Sequence, residues 1–271
     1  MHLHAMQTML LTRIHSGQAH ELDYTLIFGH YMLLLEAPIA TGTPSPFERI
    51  ALSDPSSIAK NKSMAPAARL RRTAAESMLY APRLIADTRA VRTFSVDTTE
   101  LAEIRQRAQV LLDLKDEATE STILHRVKVA ASTSGTASLA AYSFTFASLA
   151  DFDVTLNSWD ARLLILRACW LLGISSSSNA DIAAEGRQAA TNILMSWQYR
   201  KTASMFARIR LLHVSCPLWG AILDFGVTLT MPVGKVREIL GGGLMSCTDP
   251  SWERRPWRSL MRSRTCTLVV S

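Results

Sequence analysis

The chain has 271 residues, 48% hydrophobic and 19% charged, with a formal net charge of +6. Such a length and apolar fraction suffice to bury a large core, which excludes a chain disordered throughout. Its four cysteines, Cys169, Cys216, Cys247 and Cys266, lie far apart and form no C-x-x-C pair, which argues against a zinc ribbon or a disulfide framework.

The N-terminus, "MHLHAMQTMLLTRIHSG", has no Lys or Arg ahead of its apolar part and no small-residue cleavage pattern. A secretory signal is therefore disfavoured and a cytosolic or nuclear protein is expected. The runs "YTLIFGHYMLLL" (24–35) and "RLLILRACWLLG" (162–173) are about half the ~20 residues that span a bilayer, and His30 and Arg167 interrupt them. They read as buried helices, with no membrane contact. Residues 36–66, rich in Pro, Ser and Thr, read as one long surface loop. In 94–115, Leu101, Ile104, Ala108, Leu111 and Leu112 share one helix face, with Arg105, Arg107 and Asp113 elsewhere. Asp97 with Glu100 forms a capping-box pattern at its start.

The polar break "ASTSGTAS" (131–138) is a candidate boundary between halves. Ser158 is the expected N-cap of the next helix, which closes at Gly173, the residue best suited to the left-handed end. Apolar residues cover nearly its whole circumference, so it must be central. After the loop "SSSSNA", Asn179 or Asp181 caps a helix to about Lys201, carrying Ile182, Ala189, Ala190, Ile193, Leu194 and Trp197 at helical spacing. Another helix is expected at Thr202–Val214, a break at Pro217, continuation over Leu218–Leu229, and a short helix from Pro232 to the glycines at 241–243. The expectation is an all-α, multi-helix bundle-like domain over 1–250, followed by a basic, poorly structured tail at 251–271.

Residues 201–271 carry ten Lys or Arg against four acids, so the whole net charge of +6 resides there. Such a basic end attracts nucleic acid or anionic surfaces non-specifically. The stretch "DLKDE" gives Asp113, Asp116 and Glu117 the D-x-x-D/E spacing with which all-helical prenyl-diphosphate enzymes hold magnesium on one helix face. Its counterpart is incomplete, since "NADIAAE" has Asn179, Asp181 and Glu185 without the intervening hydroxyl. A solvated helix end is the favoured reading. Seven histidines form no H-E-x-x-H pattern, and the nearest pair is His2 and His4. "STSG" (132–135) reads as a loop, not a nucleophile turn, and Gly234–Lys235 lacks the upstream glycine of a phosphate loop. Cys216 has His213 nearby, yet Val214, Leu218 and Trp219 around it favour packing over a reactive thiolate. No catalytic, cofactor-binding or metal-binding residue is assigned, and no cofactor is expected.

The Pro-Leu-Trp at 217–219, following "AATNILMSWQY", resembles the C-terminal part of the fungal-specific transcription factor domain, the regulatory region of zinc-cluster activators. "QTMLLTRIHSG", "LIFGHYMLLLEAPIATGTPSPF" and "YAPRLIADTRAV" are similar in style to earlier parts of that family. The resemblance implies an all-α regulatory domain, a nuclear location and control of transcription, often of a specialised metabolic gene cluster. The family's zinc cluster of six cysteines is absent, so no position inherits a zinc or base-contact role. A truncated or divergent member is implied, one that reaches DNA through a partner or its basic C-terminal end, or not at all, and that forms homo- or hetero-oligomers. In this regulator reading, apolar grooves between helices receive an effector or partner, with Trp159, Trp170, Trp197 and Trp219 as wall or core residues; the alternatives are a magnesium-dependent prenyl-diphosphate enzyme and a non-nuclear helical scaffold.

Overall fold

A helix with no polar face must be surrounded, and the stretch after Leu149 is such a helix. The computed structural model describes residues 2–18, 20, 22–23, 25–27, 30–31, 34–35, 38, 43–48, 64–132, 139–174, 179–197, 199, 218, 220–227, 229 and 236. In chain order the elements are α1 (His2–His15), α2 (Pro66–Thr93), α3 (Thr98–Asp113), α4 (Glu117–Leu124), β1 (Lys128–Ala131), β2 (Tyr142–Thr145), α5 (Leu149–Leu171) and α6 (Asn179–Ser196). The architecture is all-α, several helices packed together with one small antiparallel hairpin. Helix α5 is the centre: α2, α3, α4 and α6 all pack against it. Among the described residues, no helix is long and apolar enough to cross a membrane.

Local chemistry explains most element ends. Pro66 opens α2, where its missing amide hydrogen would have had no partner anyway. The Asp97 carboxylate accepts the Glu100 amide at 2.8 Å and starts α3, as its spacing predicts. At the end of α5, Gly173 takes φ +60°, the Ile174 amide reaches the Cys169 carbonyl at 3.0 Å, and the Gly173 amide reaches Trp170 at 3.2 Å. That pair of bonds is a Schellman closure.

The start of α5 corrects the sequence expectation. Ser148, whose hydroxyl accepts the Asp151 amide at 3.0 Å, is the N-cap, and Ser158 lies within the helix. Polar residues hid the first turns because they are satisfied while buried: Asp151 pairs with Arg126 at 3.0 Å, and within the helix the Thr155 hydroxyl donates to the Asp151 carbonyl at 2.6 Å. Farther on, α6 ends at Ser196 with Trp197 in a turn, short of Lys201. A helical segment at 218 and 220–225 stops at Gly226, which takes φ +66°, short of the expected Leu229. The expected helix at 202–214, Cys216, Pro217, the break at 133–138, most of the 36–66 loop, all but Val236 of the Pro232 helix and the 251–271 tail lie outside the described residues.

Two apolar clusters meet across α2 and α5. The larger joins Ile104, Ala108 and Leu111 of α3, Leu139 and Phe144 near the hairpin, Phe152, Leu156, Trp159 and Leu166 of α5, Ile193 of α6 and Leu218 and Phe225 beyond. Buried residues before and after 131–138 therefore share one core. The smaller cluster joins Leu10, Ile27, Tyr31, Leu35 and Phe47 to Ala75, Met78 and Leu79 of α2 and Ala161 of α5. Each fully buried Leu, Ile or Phe contributes about 1.5–3 kcal/mol of transfer free energy. Two glycines let the 218–225 segment approach: the Phe225 ring occupies the space a side chain at Gly186 would need, and the Arg167 guanidinium does so at Gly220. Arg167 is paired there with Asp224 at 2.9 Å.

Candidate functional site

Of the acids singled out by sequence, Asp116, Glu117 and Glu185 line one seam, where α3 ends, α4 begins and α5 and α6 pass alongside. The geometry differs from that of a metal-binding helix face. Helix α3 stops at Asp113 and α4 starts at Glu117, so Asp113, Asp116 and Glu117 share no helix, and the turn between them disperses their carboxylates. Asp113 is exposed and accepts a hydrogen bond from Gln109 at 3.0 Å. Asp116 is the N-cap of α4, accepting from the Thr119 amide at 3.2 Å and the Thr119 hydroxyl at 2.7 Å, and its other partner is Arg69 of α2 at 2.9 Å. Glu117 is exposed and ion-paired with Lys115, whose hydrogen bond and charge hold its carboxyl below the usual range.

Deeper in the seam, Arg162 of α5 joins three elements. Its guanidinium grips Glu185 of α6 through both carboxylate oxygens, with Nη2 to Oε2 at 2.9 Å. It also donates to the Leu112 carbonyl at 2.5 Å, one of the carbonyls left without an intrahelical partner at the end of α3. One turn earlier, the buried Trp159 indole donates to Glu120 of α4 at 2.6 Å. Burial pushes the Glu120 carboxyl upward, and the nearby Glu185 and Glu117 add to it, against the opposing effects of the Trp159 hydrogen bond and Arg162. Between these groups is a cleft of about 50 Å³, lined among others by Ser77, Asp116, Glu120, Ser158, Arg162 and Glu185. Pockets for organic ligands run to about 300–1,000 Å³, so this one has no room for a prenyl chain.

Other sequence candidates are dispersed. His15, His20, His30 and His125 are exposed, and His125 is engaged through Nδ1 with the Ser121 carbonyl at 2.8 Å. Among the described residues, no three His, Cys, Asp or Glu side chains are grouped to hold a metal ion. The Ser132 hydroxyl donates to the Ala140 carbonyl at 2.8 Å, closing the hairpin. Trp159 and Trp197 are buried and Trp170 half-buried, each in or against the larger core, while His213, Cys216, Trp219 and Gly234–Lys235 lie outside the described residues.

Sequence reading missed Asp160. It is 2% exposed within α5, its Oδ1 has no hydrogen-bond partner, and burial alone pushes its carboxyl from the ordinary 3.8 to about 8. The signal was present: an acid set inside a helix that is apolar on every side must be buried, whether or not a partner awaits it.

No family model, curated protein or solved structure matches this chain.

Proposed function

We propose that the chain is a non-enzymatic regulatory domain of the fungal transcription factor type, acting in the nucleus to control transcription, with a specialised metabolic gene cluster as its field of action. The observation that carries this reading is the all-α architecture built around one central apolar helix, in which the acids spaced most suggestively for chemistry serve as caps and ion-pair partners. The segments resembling that family's regulatory region supply the direction. Among the described residues, the acids of the magnesium-dependent prenyl reading share no helix face, and the cleft beside them is too small for a prenyl chain. In the proposed reading, an effector or partner is received at apolar surfaces between helices, and DNA is reached through a partner or through the basic residues of 201–271.

The test is the location of a tagged copy of the full chain. Nuclear enrichment is expected. Uniform cytosolic distribution would favour the scaffold alternative, and turnover of a prenyl diphosphate by purified protein, lost in Asp113→Ala, would replace the regulator reading with an enzyme.

A further inference from the structure

The hairpin has one attached strand and one open one. β2 is held to the body by Phe144 and Phe146, whose rings meet Trp159 at 6.0 Å and Phe152 at 5.3 Å between centroids. β1 is exposed along its whole length and, among the described residues, pairs with β2 alone. The register places Lys128 opposite Thr145, Val129 opposite Phe144, Ala130 opposite Ser143 and Ala131 opposite Tyr142. The Ser132 amide donates to the Ala141 carbonyl at 2.9 Å, which marks that pair as hydrogen-bonded. In an antiparallel ladder the bonded pairs alternate, so Ala130 and Lys128 also face β2, while Val129 and Ala131 turn their N–H and C=O groups toward the open edge. Beside that edge, Val129 and Tyr142 are 59% and 56% exposed.

From this geometry we infer that β1 is a self-association edge, pairing antiparallel with β1 of a second copy to make a four-stranded sheet across a two-fold axis at Ala130. The argument for a second copy is self-complementarity. With the axis at Ala130, Val129 of each copy lies opposite Ala131 of the other, and the four outward backbone groups of each strand are satisfied by those of its twin. Lys128 then faces Ser132 of the second copy, so the single charge on each strand meets no like charge. Ala130 meets itself in the closer, non-bonded type of pair, which its small, uncharged side chain fits without conflict. The apolar faces of Val129, Ala131 and Tyr142 become continuous through the dyad. Beyond its shortness and Lys128 the strand carries no further protection of an edge, having no proline and no inward charge. The interface is small, so the association is weak and transient.

Sedimentation velocity of the full chain from low to high micromolar concentration tests this. Concentration-dependent dimer is expected in the wild type. Ala130→Lys puts two ammonium groups face to face on the axis and weakens the dimer by about tenfold or more, as does Ala130→Glu by itself. An equimolar mixture of the two variants regains the dimer, because the opposed pair is then Lys against Glu. Ala131→Pro, which removes an outward amide hydrogen without touching a bond to β2, also weakens it. A wild type that stays monomeric, an Ala130→Lys variant that associates like the wild type, or a mixture that fails to recover would each overturn the inference. Wild-type monomer would leave the edge to an extended peptide from another protein.

Discussion

Arg162 and Asp160 stand two residues apart on α5, on opposite sides of the helix, and bury charge in opposite ways. On the α4–α6 side, Arg162 binds both oxygens of Glu185 and the end of α3, so its desolvation is offset by three directed bonds. On the other side, among the described residues, Asp160 has no hydrogen bond at Oδ1 and no charged neighbour acting on it, and the carboxyl responds by holding its proton. A paired charge locks elements together at any ordinary pH. An unpaired one makes the same helix sensitive to pH.

The largest expected effect is at Asp160. Its native carboxyl stays protonated up to about pH 8, whereas the unfolded one ionises near 3.8. The native state therefore holds a proton that the unfolded state has released, and this group's contribution to stability is greatest below about pH 4 and falls as pH rises toward 8. The slope from this group alone approaches about 1.4 kcal/mol per pH unit within that window. Asp160→Asn removes the slope, so urea midpoints of variant and wild type should converge near pH 4 and separate in the variant's favour by pH 8. Equal pH slopes would show that Asp160 is solvated or paired.

Next in size, Arg162→Ala strands Glu185 and the Leu112 carbonyl and should lower stability by about 2–4 kcal/mol in urea denaturation, with Glu185's partial exposure keeping it from the upper end for buried pairs. Arg162→Lys should recover only part, because an ammonium cannot grip both oxygens. Gly186→Ala forces a methyl group into the Phe225 ring and should cost about 1–3 kcal/mol, accompanied by earlier proteolytic cleavage near 218–227. The smallest change belongs to Trp159→Phe, which keeps one aromatic ring in the core but gives up part of the indole's volume and the bond to Glu120; about 1–2 kcal/mol is expected in urea denaturation.

The sequence made the helices legible wherever one face is apolar and an end is capped locally, as at Asp97 and Gly173. It misled where tertiary partners change the meaning of a residue. Asp151, Thr155 and Asn157 read as polar interruptions but are buried within α5, so Ser158 looked like its start. The strands escaped notice because four residues are too few to display alternation. The acids of "DLKDE" kept their spacing but lost their meaning once the helix broke at Leu114. Asp160's isolation depends on what packs around α5, which no local window contains.

Both sides of α5 are interior architecture, so the proposed regulator reading places the regulatory contacts on surfaces and partners. Chromatin association of the tagged full chain, compared at low and raised salt, tests this most directly, because purely charge-driven contact by the basic residues of 201–271 fades as salt rises. The regulator reading predicts retention at discrete loci at both salt concentrations; absence from chromatin at low salt, or uniform binding that disappears at raised salt, would contradict it.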